Sequence, residues 1–257
     1  MDAHISTALK NNGIWIGRMH SRFAHAVNFM LHNSHNTKRL LTVAEGSPFR
    51  IPDALFMQPE CVSDGELILK GDQLMMGGER YSLAFSTWTG RIPVYGTKAR
   101  AREFWEMFRQ MRLVSGFCRL PDAIGLRAVR AIASGDIADV IGLGAGLTPS
   151  VDDAAVGWAA FQAAKGKAWT IDETELNRTT DVSAKYLRLA SEGFFSEALT
   201  LLMDAVFGSG DLARAMADTA SIGATSGADM LFGIAIACAQ DLHIPSREWI
   251  TSISPSP

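Results

Sequence analysis

Apolar and polar positions follow two different rhythms along this chain. Up to about residue 97 the apolar runs are short, of strand length, and bounded by turn residues. Gly13-Ile-Trp-Ile-Gly17, Arg39-Leu-Leu-Thr-Val-Ala44, Gly65-Glu-Leu-Ile-Leu-Lys70 and Tyr81-Ser-Leu-Ala-Phe-Ser86 are the strand candidates. Gly46 to Pro52 and Met76-Gly-Gly-Glu79 are turns. One helix is predicted in this part, from about Ser21 to Leu31, with Phe23, Val27, Met30 and Leu31 at helical spacing. Residues 1–10 read as a short helix or a frayed lead.

Beyond Gly96 the helical period takes over. Thr97 is placed to cap a helix running to about Val114 and closed by Gly116. Pro121-Asp122 opens a second helix, to Ser134, and Gly135 ends it. Residues 136–141 form a short helix or strand. Further helices are expected near 150–165, 172–178, 181–192, 195–207, 211–220 and 227–241, before a mobile Ser/Pro tail. The fold class that follows is α+β. A β-rich, barrel-like N-terminal subdomain over residues 1–97 precedes a mainly helical domain over 98–257.

Between the second and third helices lies Gly142-Leu-Gly-Ala-Gly-Leu-Thr-Pro-Ser-Val-Asp-Asp153. Gly142, Gly144 and Gly146 allow positive φ and close backbone approach. Pro149 suits a helix start, and Thr148 or Ser150 can cap it, with Asp153 completing a capping box. A glycine loop entering a helix N-terminus also suits an anion. The adjacent carboxylates of Asp152 and Asp153 are candidate Mg²⁺ ligands. The loop is not a Walker A motif, since no Gly-Lys-Ser/Thr follows.

The chain then echoes itself. Ser150-Val-Asp-Asp153-Ala-Ala-Val-Gly157 and Ser226-Gly-Ala-Asp229-Met-Leu-Phe-Gly233 share the form S-x-x-D-x-x-x-G. Both lead into Ala/Gly-rich helices that can approach closely. Two such starts suggest a shared site or an internal duplication; capped small-residue helices also look alike without either.

Composition narrows the classes. Of 257 residues, 47% are hydrophobic and 20% charged, as in an ordinary globular protein. A net charge of −3 gives no ground for nucleic-acid binding. Residues 98–130 carry eight basic and three acidic groups, and residues 131–257 carry seven and sixteen. The longest apolar stretch, Met230 to Ala239, is well below the roughly 20 residues of a membrane span. Cys61, Cys118 and Cys238 are odd in number and form no C-x-x-C pair, so reduced thiols and a cytoplasmic setting are expected. The N-terminus lacks the pattern of a signal peptide. His32 and His35 have a metal-ligand spacing if helical, but Asn33, Ser34 and Asn36 suggest a polar loop. His20-Ser21-Arg22 is a candidate site lining. An arginine among 100–112 is a candidate for binding a substrate carboxylate, although a solvated basic helix face explains those arginines as well.

Gly142 to Asp153 resembles the GxGxGLTPSGDD signature of the bacterial AllH family. Thr179-Thr-Asp-Val-Ser183-Ala resembles its TT-x-x-S-A element, and Ile222-Gly-Ala-Thr-Ser-Gly-Ala-Asp229 its IGHTSGAD. His20-Ser21, Phe23 and Asn28 fit its N-terminal part. Val151 replaces the glycine after the signature serine, and Ala224 replaces the histidine of GHTSG.

The resemblance implies a subunit that works with FdrA-like and AllG-like proteins in allantoin and purine catabolism. The reaction implied is that of oxamate carbamoyltransferase: oxalurate and phosphate become oxamate and carbamoyl phosphate. In such a transferase, Gly142, Gly144, Gly146, Thr148, Ser150, Ser226, Ser21 and Arg22 are the candidate substrate or phosphate contacts. Asp152, Asp153 and Asp229 are the candidate catalytic carboxylates, Asp152 and Asp153 with Mg²⁺. The alternatives are a non-catalytic anion-binding or scaffolding subunit and an ATP-dependent kinase or ligase. The loss of the histidine at Ala224 and the lack of a clear base favour the scaffold over a complete active site.

Overall fold

The computed structural model describes residues 2–4, 9, 13–23, 26–44, 49–57, 65–85, 88–96 and 98–245. The chain is α+β and divides into two compact units, residues 1–90 and 91–257.

Among the described residues the first unit forms a nine-stranded sheet. Its strands are β1 (Asp2–His4), β2 (Ile14–Arg22), β3 (Ala26–His32), β4 (Lys38–Ala44), β5 (Ala54–Phe56), β6 (Leu67–Lys70), β7 (Gln73–Met76), β8 (Glu79–Ser82) and β9 (Ala84–Phe85). They lie in the order β8-β7-β6-β2-β3-β4-β5-β1-β9, curled as an open half-barrel. Pairing is antiparallel except for β4 with β5 and β1 with β9. The β7–β8 hairpin turns on Gly77 and Gly78, both at positive φ, which is what a two-residue turn of matching twist requires. The core holds Trp15, Phe29, Leu31, Leu41, Val43, Leu67, Leu69 and Leu74. Gly17 lets β2 pass: a Cβ there would lie 2.5 Å from Leu31 Cδ2.

The helix expected from Ser21 to Leu31 is not seen among the described residues: Ser21 and Arg22 lie in β2, and residues 26–31 lie in β3. Val27, Phe29 and Leu31 all enter the core, a period of two that outweighs the helical spacing of Phe23, Val27, Met30 and Leu31. His32 ends β3, and His35 sits in the following turn, whose amides at His35 and Thr37 donate to Asn33 Oδ1. The helical condition for a His32–His35 metal pair is therefore not met.

The second unit contains α1 (Ala101–Gln110), α2 (Asp122–Ser134), α3 (Ser150–Ala164), α4 (Asp181–Ser191), α5 (Glu197–Phe207), α6 (Leu212–Ala220) and α7 (Ser226–Asp241). Thr97, the expected cap, lies outside the described residues. α1 ends at Gln110, earlier than Val114, because the chain turns extended at Met111. Gly135 ends α2 with φ of 80°, a left-handed cap that favours glycine. Residues 136–141 form turns, and 175–178 a short 3₁₀ helix.

The centre of this unit is the crossing of α3 and α7. A Cβ on Gly157 would lie 2.0 Å from the Met230 carbonyl oxygen, and one on Gly233 1.8 Å from that of Ala154. Each helix thus lays a glycine on the other's backbone. Phe232 of α7 stacks with Phe108 of α1 at 6.2 Å and meets Phe117 edge-on at 4.7 Å. Among the described residues no helix is long and apolar enough to cross a membrane. Cys118 is exposed and Cys238 buried, both free thiols.

Candidate functional site

The glycine loop curls back onto the start of α3. Gly142, Gly144 and Gly146 all have positive φ, at 78°, 126° and 98°. A Cβ on Gly142 would meet the Arg178 carbonyl at 2.5 Å, and one on Gly144 the Ser150 nitrogen at 2.4 Å. These two glycines are fixed by close packing as well as by φ; Gly146 stands in open space. Residues 144–147 are exposed, while Pro149 and Ser150 are buried.

The capping box does not form. Pro149 occupies the cap position of α3 with no side-chain cap, and Ser150 is already helical. The Thr148 hydroxyl reaches instead to Ser226 Oγ at 2.8 Å, joining the starts of α3 and α7. Thr180 caps α4 by accepting from the Ser183 amide, and its own hydroxyl donates to the Leu147 carbonyl.

The three carboxyl groups differ sharply in surroundings. Asp152 is fully buried and accepts from the Gly142 amide (2.8 Å), Thr179 Oγ1 (2.5 Å) and Ser183 Oγ (2.7 Å). Burial raises its pKa against the pull of those three donors. It works as a clamp holding loop, α3 and α4 together, and its oxygens are already engaged.

Asp153 is 2% exposed and Asp229 is 0% exposed. Burial pushes Asp153 up to about 8; the Ser226 and Thr148 hydroxyls oppose this, and the charges of Asp229 and Asp152 reinforce it. Burial pushes Asp229 up to about 6 against hydrogen bonding from Ser115, Ser150 and the amides of Gly116 and Phe117. Asp229 Oδ1 accepts from Ser115 Oγ at 2.5 Å and from the Gly116 amide at 3.0 Å. Ser150 Oγ is packed against Gly116, 1.9 Å from where a Cβ would stand. One oxygen of each carboxyl, Asp153 Oδ2 and Asp229 Oδ2, accepts no hydrogen bond among the described residues.

The echo in sequence is therefore a meeting in space. The Thr148 hydroxyl of the first start bonds Ser226 of the second, and Ser150 Oγ and Asp229 Oδ2 lie 1.9 and 3.3 Å from where a Cβ on Gly116 would stand. Thr148, Ser150, Asp153, Ser226 and Asp229 are brought together. Asp152 faces away from them, into its own clamp. Ser21 and Arg22 belong to the first unit, where the Ser21 hydroxyl accepts from Asn28 Nδ2 at 3.1 Å. Arg100 grips Glu103 with two nitrogens, at 2.6 and 2.8 Å, and donates to the Ala205 and Gly210 carbonyls. It is thereby committed within its own unit.

Sequence reasoning missed three residues around these carboxyls. Ser115 and Gly116 hold Asp229 from more than a hundred residues away, beyond the reach of local pattern. Burial pushes the hydroxyl of Tyr186 on α4 up to about 12, and the Asp153 charge adds to the rise. The hydrophobic spacing of α4 around Tyr186 gives no sign of this.

Fold and site together define an α+β protein whose helical unit joins two S-x-x-D helix starts through the Thr148–Ser226 hydrogen bond. Residues 140–238, which hold the glycine loop, the Thr179–Ser183 clamp and both S-x-x-D starts, match the AllH family model, described as oxamate carbamoyltransferase subunit AllH. The matched segment is less than half of the chain. No solved structure matches it.

Proposed function

We propose that the chain is an AllH-like subunit of a carbamoyl- or acyl-phosphate-forming transferase complex similar to oxamate carbamoyltransferase, and that it binds a small anionic substrate or phosphate where the two S-x-x-D starts meet. The observation that carries this reading is the joining of the two starts by the Thr148–Ser226 hydrogen bond beside two buried carboxyls, Asp153 and Asp229, each with an oxygen that accepts no hydrogen bond among the described residues. Such an arrangement has few purely structural uses, because each buried carboxyl costs desolvation energy that an apolar pair would not.

In this reading the exposed backbone of residues 144–147 faces the anion, and the hydroxyls of Thr148 and Ser226 border it. Asp153 orients the substrate amide, and Ser226 with Asp229 supplies the opposite wall. Asp152 is a positioning residue. FdrA-like and AllG-like proteins are the expected partners.

The test is reconstitution. The chain is combined with FdrA-like and AllG-like proteins, and phosphate-dependent cleavage of oxalurate is followed by carbamoyl phosphate release. Turnover is expected to need this chain and to fall about 100-fold or more in Asp153→Ala and Asp229→Ala, with the assembly intact by size exclusion. Undiminished turnover in both variants points to the second reading, a scaffolding subunit. That reading is favoured by the deep burial of both aspartates and by Ala224 standing where the family motif has histidine.

A further inference from the structure

Asp152, Asp153 and Asp229 do not offer equivalent oxygens to a cation. Asp152 spends its oxygens on three donors. Asp153 and Asp229 do not: each keeps a buried oxygen that accepts no hydrogen bond among the described residues. A buried carboxylate left so is costly unless another group compensates it. The charges acting most strongly on Asp153 are those of Asp229 and Asp152, both negative.

From this geometry we propose that Asp153 Oδ2 and Asp229 Oδ2 are the anionic ligands of one small, hard divalent cation of the Mg²⁺ or Mn²⁺ class, at the crossing of the two S-x-x-D starts. Three features fit such an ion. The donors are all oxygen, which hard cations prefer. Two carboxylates match the ion's double charge, so the buried site is neutral overall. Ser150 Oγ packs beside Asp229 Oδ2 at Gly116, and the Thr148 and Ser226 hydroxyls bond each other where the two starts meet, so these hydroxyls can complete the shell, as a hydroxyl does on Mg²⁺ in phosphate-binding loops. The close fit of Ser150 against Gly116 holds one of those hydroxyls in place.

The proposal concerns the site assigned above but does not depend on which reaction it serves, and its test needs no substrate. The full chain, stripped with EDTA and dialysed, is titrated with Mn²⁺ under electron paramagnetic resonance. One strongly bound Mn²⁺ per chain is expected, displaced by excess Mg²⁺ and absent in Asp153→Asn and Asp229→Asn. The thermal midpoint of the stripped protein should rise by about 5 to 10 °C at a hundredfold excess of metal over Kd. Neither asparagine variant should show that rise. KCl at equal ionic strength is expected to have no such effect. Should the variants fail to fold, Ser226→Ala serves instead, with Mn²⁺ affinity reduced about tenfold or more by loss of one ligand. Absence of bound Mn²⁺ at millimolar concentration in the unmodified chain overturns the proposal and leaves a pair of carboxyls neutralised by protons. Bound Mn²⁺ that survives all three substitutions overturns it as well. Loss of binding with retained transferase turnover leaves the cation site standing and separates it from the reaction.

Discussion

Asp152 and Asp153 are neighbours with opposite duties, because successive helical side chains point about 100° apart. Asp152 turns toward α4 and Asp153 toward α7. Replacing Asp152 by Ala leaves the Gly142 amide and the Thr179 and Ser183 hydroxyls without their acceptor. The expected loss is about 2–4 kcal/mol, read from the shift of a urea unfolding midpoint. The pair Asp153 and Asp229 carries a pH signature. Both folded pKa values lie above the ordinary carboxyl range, so the folded state binds protons more tightly than the unfolded chain. Their stabilisation is complete below about pH 4 and is lost as pH rises through about 6 for Asp229 and about 8 for Asp153. In metal-stripped protein, Asp153→Asn is expected to flatten the decline between pH 6 and 8. Unfolding curves at half-unit pH steps measure it, and an unchanged slope would place Asp153 elsewhere in the titration. The sequence revealed which residues to watch around the loop but not how they pair. Thr148 has the makings of a cap, yet its hydroxyl goes to Ser226, and nothing near Gly116 announces Asp229. Local pattern records a residue's own backbone needs; it is silent about partners that only folding brings near.

Among the elements, the helical unit was the more legible half. Gly135 closes α2 where its punctuation suggested, and α3, α5, α6 and α7 lie within two residues of their expected limits. These helices bury nearly all of one stripe or, for α3 and α7, nearly every side. The β unit was harder, because strands of four residues such as β7 and β8 carry too few alternations to be read. Around β3, the helical and strand periods coincide at Val27 and Leu31. The α3–α7 crossing offers its own prediction. Gly157→Ala and Gly233→Ala each force a methyl to about 2 Å from a carbonyl oxygen and should destabilise by about 3 kcal/mol or more. Gly125→Ala within α2 meets nothing within 4 Å and should stabilise by about 0.5–1 kcal/mol. Thermal unfolding of the three variants side by side distinguishes a contact effect from a general dislike of alanine.

At the scale of the molecule, each unit owns a separate hydrophobic core, one around Trp15 and Phe29 and the other around Phe161 and Phe232. A fragment covering residues 91–257 is therefore expected to unfold cooperatively on its own, with the dispersed amide spectrum of a packed domain. A fragment that stays molten would show that residues 1–90 are needed to complete its core.

The paired glycines at the crossing have a further consequence for how this protein can change over generations. Backbone rests on backbone there, so no side-chain replacement can draw the two helix starts closer together, and enlarging Gly157 or Gly233 can only drive them apart. The separation of Asp153 from Asp229 is thus frozen, while the hydroxyl residues around them remain free to vary. Descendants with altered preference should differ at Ser115, Thr148, Ser150 or Ser226, and keep both glycines.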